Sequence, residues 1–308
     1  MSVPPKFTNF DISHATVSVW LFKKWPPMNG MPRFSGHWID TDTKLDAALK
    51  GAITAERDRI TEVMEYGLLA QNNEGSAMRV DAIETHAGLI TQQTGAETQQ
   101  KKVMTKKHIE NTKFYVIKLK KGADILWAVR KTDSSWTSKN SLGVINAFFK
   151  DVKLTLDTTP SFRLSRKVDF FIIGDDIIVS KKAAFESVLG YKQAHEEDFI
   201  ELQAEPQFSS LFETIDPIVA FIGNNKIHLR RACAIHAKGH YKNPQFMEKL
   251  RQNHAAFGLA LNWDEQGRIV PTEDTCADII QALLDHRLLS PFSDAVYAVP
   301  DATPVSTA

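Results

Sequence analysis

Cysteine is nearly missing from this sequence: its 308 residues hold only Cys233 and Cys276. The two stand far apart and without metal-ligand spacing, so neither a disulfide framework nor a thiolate zinc site is expected. Free thiols in a reducing cytoplasm are the expected state. Long apolar runs are missing as well. With no stretch of 18 apolar residues, no helix is expected to span a bilayer. The opening MSVPPKFTNF has no basic region followed by an apolar one, so export is not expected. Local catalytic signatures are also lacking. There is no GxxxxGK[ST] phosphate loop, no GxGxxG after a strand, no GxSxG elbow and no HExxH pair. No catalytic residue, cofactor, metal or small-molecule substrate is indicated.

Net charge is the last thing missing: 37 basic and 37 acidic side chains cancel. A uniformly basic nucleic-acid binder is thereby excluded, but the distribution along the chain is far from even. Residues 101–182 carry 18 basic and 8 acidic side chains, and residues 223–251 carry 7 and 1. The segments around them are acidic, most of all residues 183–222, with 1 basic and 8 acidic side chains. Such blocks either pair with one another in the fold or present a basic face that attracts polyanions.

Along the chain, VSVWLF (17–22) alternates as a strand does, and WPPMNGMP (25–32) reads as a loop. Residues 40–70 read as one long helix, with Asp and Thr at its start and Leu45, Leu49, Ile53, Ile60, Val63 and Met64 forming one buried stripe. The polar stretch 71–110 fits either a loop or a solvent-facing helix. KFYVIKLKKG and ADILWAVRKT form a hairpin about Lys120-Lys121-Gly122, and VDFFIIGDDIIVS forms another about Gly174-Asp175-Asp176. GVINAFFKDVKLTLDT offers a further strand. Beyond Lys181 the texture turns helical, broken by Gly and Pro, and DAVYAVP adds a closing strand. Strands followed by helices predict an α+β fold, with an antiparallel hairpin sheet in the middle of the chain and a mostly helical C-terminal half. The expected division is an N-terminal region, 1–108, and a second domain, 109–308.

Two readings compete for Asp175 and Asp176. A metal-dependent nuclease needs an acidic strand end followed by Glu/Asp-x-Lys on the next strand. Here the next strand, IIVSKK, has no acidic residue two places before its lysine. Asp is also a common turn residue for local hydrogen-bonding reasons, so the pair reads as a turn. His236 and His240 stand four apart, but Gly239 between them predicts a helix end rather than a shared metal.

The basic residues are the better functional candidates. Lys101, Lys102, Lys106 and Lys107 cluster at helical spacing. Lys118 and Lys120 stand at the first hairpin turn. Arg163, Arg166 and Lys167 lead into the later strand pair, and Lys181 and Lys182 leave it. Arg230, Arg231, Lys238 and Lys242 gather within 226–242. Lysines and arginines that converge from loops would hold phosphates without reading bases. Tyr241 and Trp136 are candidates to stack on exposed bases.

VDFFIIGDDIIVSKKAAFESVLGY, the later HLRRACAIHAKGHY and the terminal ADIIQALLDHRLLSPFSDAVYAV together resemble the Kiwa anti-phage defence proteins of the KwaB type. The resemblance covers about residues 110–300 and rests on the order of apolar and turn residues. It implies a bacterial cytoplasmic effector recruited to the inner membrane by a small multi-pass partner, KwaA. It also implies homodimers within larger assemblies, and DNA binding that interferes with phage replication. Of the residues that suit nucleic acid, Arg230, Arg231 and Tyr241 fall in a matching stretch. The expected function is therefore non-catalytic, largely sequence-independent DNA binding. The alternatives are a metal-dependent nuclease of the same system, or a scaffold for an acidic partner or a membrane surface.

Overall fold

The chain opens on a one-turn helix, α1 (Pro5–Thr8), and a long antiparallel strand pair, β1 (Thr16–Met28) and β2 (Met31–Ile39). The computed structural model describes residues 2–28, 31–81, 85–109, 111–133, 147–150, 153–156 and 162–299. There follow α2 (Thr43–Asp58), β3 (Glu62–Glu65), β4 (Ser76–Asp81), α3 (Thr85–Gln93) and α4 (Lys106–Ile109). The hairpin β5 (Phe114–Lys121) and β6 (Asp124–Lys131) comes next, then β7 (Ala147–Lys150) with β8 (Lys153–Leu156). A further hairpin, β9 (Phe170–Ile173) and β10 (Asp176–Val179), precedes α5 (Lys182–Leu189).

Eight of these strands form one sheet in the order β2-β1-β5-β6-β9-β10-β4-β3. Every pairing is antiparallel except β3 with β4. Period-two alternation sends Val19, Leu21, Ile117, Leu119, Leu126, Phe171 and Ile178 to one face. There they pack with Phe7, Leu49 and Ile53 from α1 and α2. Burying a side chain such as Ile53 contributes about 1.5–3 kcal/mol. Side chains of opposite parity are buried too: Trp20, Phe22, Phe114, Val116, Val129 and Phe170 are all shielded from solvent. Phe170 meets Phe185 of α5 edge-on at 5.1 Å. A sheet buried on both faces reads as near-continuous apolar runs, which is why FYVI and FFII carry no polar alternation.

The structure departs from the sequence expectation at two places in the first hundred residues. The helix predicted over 40–70 stops at Asp58. Its cap is as expected, since the Asp42 carboxylate accepts from the Leu45 N–H at 2.7 Å. Beyond the helix, the Thr61 N–H donates to the Gly75 carbonyl, and residues 62–65 pair with β4. Val63 and Ile60 are buried as predicted, from a strand and its approach rather than from a helix stripe. The predicted 25–32 loop also shrinks, because Trp25–Met28 extend β1 and Met31 begins β2.

The chain divides into two compact units, residues 1–65 with 72–189 and residues 66–71 with 190–308. The expected division at residue 108 thus falls inside the first unit. Seven residues of β1 pair with β5, so the N-terminal region and the central hairpins share one sheet.

The second unit holds α6 (Tyr191–Ala204), α7 (Pro206–Ser209), α8 (Asp216–Ile222), α9 (Lys226–Lys238), α10 (Pro244–Asn253) and α11 (Cys276–Leu283). It ends in a small hairpin, β11 (Arg287–Leu289) and β12 (Val296–Ala298). Asn225 and Asn243 cap α9 and α10 by accepting backbone N–H bonds, and Gly239, at φ 61°, ends α9 where the sequence predicts. Its core gathers Phe199, Leu202, Phe208, Ile235 and Ile279, and Leu68 and Leu69 pack against it. Both cysteines are free and buried. An antiparallel-dominated sheet followed by a helical C-terminal part is the predicted α+β class.

Candidate nucleic-acid interface

Two of the predicted cations meet in the first unit. Lys167, just before β9, and Lys181, just after β10, line one cleft of about 430 Å³ with Arg59 and Arg130. The hairpin brings the two lysines together: β9 and β10 are antiparallel, so residues flanking the pair return to the same end. The backbone then fixes them, as Ser180 and Lys181 N–H groups both donate to the Asp169 carbonyl at 3.0 and 2.8 Å. The Asn72 amide closes the rim by donating to the carbonyls of Ser76 and Ser180.

Electrostatics divide the cleft into committed and uncommitted charges. Glu56, at the end of α2, ion-pairs with Arg59 at 2.8 Å and Lys167 at 3.1 Å. Burial works against its ionised form, but hydrogen bonds from Arg59, Lys167 and the Val168 N–H prevail and hold the carboxyl below its usual value. Asp169 is fully buried, pairs with Arg130 and accepts from the Lys131 N–H at 2.8 Å. Burial pushes its carboxyl up, against the pull of that N–H, Arg130 and Lys181. Arg59 also reaches Glu74 at 3.6 Å. Lys181 is exposed and makes no ion pair among the described residues. The same holds for Arg163 and Arg166, in the exposed segment that leads into Lys167. Lys182 begins α5, half-buried.

Other predicted contacts lie elsewhere. Lys118 is only 6% exposed: it donates to the Thr94 carbonyl at 2.8 Å and faces Glu97 at 3.5 Å, so it belongs to the interior and not to a phosphate-binding surface. Lys120 is exposed but sits at the far end of the β5–β6 hairpin, opposite Ile125. Five residue steps along β6, from Ile125 to Arg130, put that end about 17 Å away at strand rise. Lys101 and Lys102 serve the fold too, Lys101 by donating to the Gln93 carbonyl and Lys102 by pairing with Asp40. Trp136 lies outside the described residues.

The remaining candidates belong to the second unit. Tyr241 is 4% exposed and gives its hydroxyl hydrogen to Glu205, so stacking on a base is closed to it. Lys242 pairs with the same carboxylate at 2.7 Å. Lys238 donates to the Leu284 carbonyl at 3.2 Å. Arg230 and Arg231 are half-buried on α9. His236 pairs with Asp198 at 2.7 Å, whereas His240 stacks on Phe246, so the two histidines serve different partners.

The turn aspartates part in the same way. Asp176 receives the Arg79 guanidinium at 2.7 Å across to β4, and Asp175 is exposed beside Gly174, which at φ 53° takes the left-handed turn position. Among the described residues no three His, Cys, Asp or Glu side chains converge on a possible metal position. Arg59 and Arg130 were missed by sequence reading. Arg59 falls within the span read as one long helix and Arg130 within a hairpin strand, and only the β3–β4 and β6–β9 pairings carry them to one cleft.

No helix among the described residues is long and apolar enough to cross a membrane. No curated protein and no solved structure gives a significant match to the chain. The Kiwa protein KwaB-like family does match, over residues 109–292, which take in the β5–β6 and β9–β10 hairpins and the helices through α11. The match spans more than half of the sequence, and the chain belongs to the Kiwa protein KwaB-like family, a component of Kiwa anti-phage defence.

Proposed function

We propose that this protein acts in Kiwa defence by binding DNA without cutting it, through phosphate contacts made by the first unit. One observation carries the reading. Lys181, Arg163 and Arg166 are exposed and unpaired among the described residues, next to or leading toward a cleft whose acidic groups already have cationic partners. Cations left over in this way gain most from a phosphodiester chain, which they neutralise with release of counterions. The contacts are to the backbone, so binding is largely independent of sequence. Membrane recruitment belongs to a KwaA-type partner in this reading, and the protein works as a homodimer or a higher assembly.

The test is retardation of duplex DNA by the full chain, compared with an Arg163→Glu, Arg166→Glu, Lys181→Glu variant. The variant is expected to lose retardation while its thermal unfolding midpoint stays the same. Unaltered retardation would contradict the assignment. Prolonged incubation of the wild-type chain with plasmid and Mg²⁺ or Mn²⁺ is expected to leave the plasmid intact. Nicking that the triple variant lacks would turn the reading toward a nuclease.

A further inference from the structure

A second, larger cavity lies wholly within the C-terminal unit and plays no part in the DNA reading. It has a volume of about 630 Å³ and is bounded by α10, the turn at His254–Phe257, the end of α11 and the start of β11. Its apolar wall is Phe246, Leu250, Phe257 and Leu259. Its polar groups include Lys249, His254 and Arg287. Concave apolar surface with a few convergent polar groups is the form of a small-molecule site, and this volume lies within the usual range.

Two of the cations, Arg287 and Lys249, stand uncommitted among the described residues. Arg287 Nε is buried and has no hydrogen-bond partner among the described residues. A buried donor left without an acceptor destabilises the fold unless something else supplies one. Arg287 and Lys249 make no ion pair among the described residues, although Asp285, the one acidic residue of the lining, is near. Nor are these cations needed at the carbonyl end of α11. Lys238 Nζ already donates to the Leu284 carbonyl, and the His286 N–H to that of Gln281. His254 gives its Nδ1 hydrogen to the Leu259 carbonyl at 2.9 Å, which in the neutral ring leaves Nε2 as an acceptor toward a ligand hydroxyl or amine.

We infer that this cavity is a binding site for an organic anion of about nucleotide size. The anionic head meets Arg287 and Lys249, and the apolar body lies along Phe246, Leu250 and Phe257. Guanidinium and ammonium groups beside an apolar wall select for a charged head on a hydrophobic body and against a small inorganic ion.

The experiment is a fluorescence titration of the full chain with anilinonaphthalene sulfonate, an aromatic anion that reports its own binding. Saturable binding at a single site is expected, weakened about tenfold by Arg287→Gln and again by Lys249→Gln, the scale of one charged hydrogen bond. Unfolding midpoints and DNA retardation are expected to be those of the wild type, so this inference and the DNA reading fail independently. Displacement by adenosine monophosphate but not octanoate identifies a nucleotide-type body, and the reverse identifies an aliphatic one. Binding that ignores both substitutions would overturn the inference, because the probe would then be reporting exposed apolar residues such as Phe292. Displacement by inorganic phosphate as effective as that by either organic anion would overturn it as well.

Discussion

Asp169 and Arg130 form a carboxylate–guanidinium pair across neighbouring strands, with the aspartate side chain fully shielded from solvent. Arg130 lines the basic cleft, and the main-chain carbonyl of Asp169 accepts from the Ser180 and Lys181 N–H groups, which holds the backbone from which Lys181 departs. Removing one partner of a buried pair strands the other. Arg130→Met is therefore expected to destabilise the protein by about 3–5 kcal/mol. Urea unfolding measures it; a loss under about 1 kcal/mol, the scale of exposed pairs, would contradict the buried geometry.

Lys24 predicts a pH dependence of the same sense as ordinary acid denaturation, stability rising with pH, but in the alkaline range. Burial, helped by repulsion from Lys131, brings its ammonium down from 10.5 to about 8, even though Nζ donates to the Ser187 carbonyl. Between those values the unfolded chain holds a proton that the folded chain has released, so stability rises with pH across this window. A fully shielded group would give an excursion of about 3 kcal/mol at 1.36 kcal/mol per unit; Lys24 is partly exposed, and solvent screening brings it below that. In matched urea titrations, Lys24→Met should remove that rise. A wild-type curve that parallels the variant from pH 8 to 10.5 would contradict it.

Gly36 sits opposite Phe22 on β2, and a Cβ built there falls 2.9 Å from the Phe22 ring. The ring has nowhere to retreat, being stacked on Phe114 at 4.6 Å and edge-on to Phe34 at 6.4 Å. Gly36→Ala should destabilise by about 1–3 kcal/mol, as overpacking does. Thermal unfolding checks this, and an unchanged midpoint would refute the contact.

Lys118 separates a buried charge from a binding one. Lys118→Met should leave the DNA affinity of the folded protein within about a factor of two, since exposed cations alone exchange counterions with DNA. A steep loss of affinity without loss of structure would place Lys118 in the interface after all.

Much of this fold was legible in the sequence. Both central hairpins, the cap at Asp42 and the stop at Gly239 follow from local chemistry. What failed to show were the non-local pairings. Ile60 and Val63 keep helical spacing with Ile53, yet Thr61 and Val63 are β-branched, and β4 captures the segment as a strand. Lys118 looks like a turn cation until the sheet is known to be buried on both faces, when its parity with Val116 and Phe114 places it inside. Tyr241 likewise reads as a free aromatic until Phe208 and Glu205 close over it. The cleft lysines were found because they flank a single hairpin, whereas Arg59 and Arg130 reach the same place only through strands distant in sequence.

The most direct test of the account is the salt dependence of DNA binding by the wild-type chain and by the Arg163→Glu, Arg166→Glu, Lys181→Glu variant. Each phosphate contact contributes a slope of about −0.9 to log K against log salt. The expected result is a steep wild-type slope that flattens by about 0.9 for each cation lost, so that the two lines converge at high salt. Parallel lines, or affinity that ignores salt, would contradict phosphate binding by these three side chains.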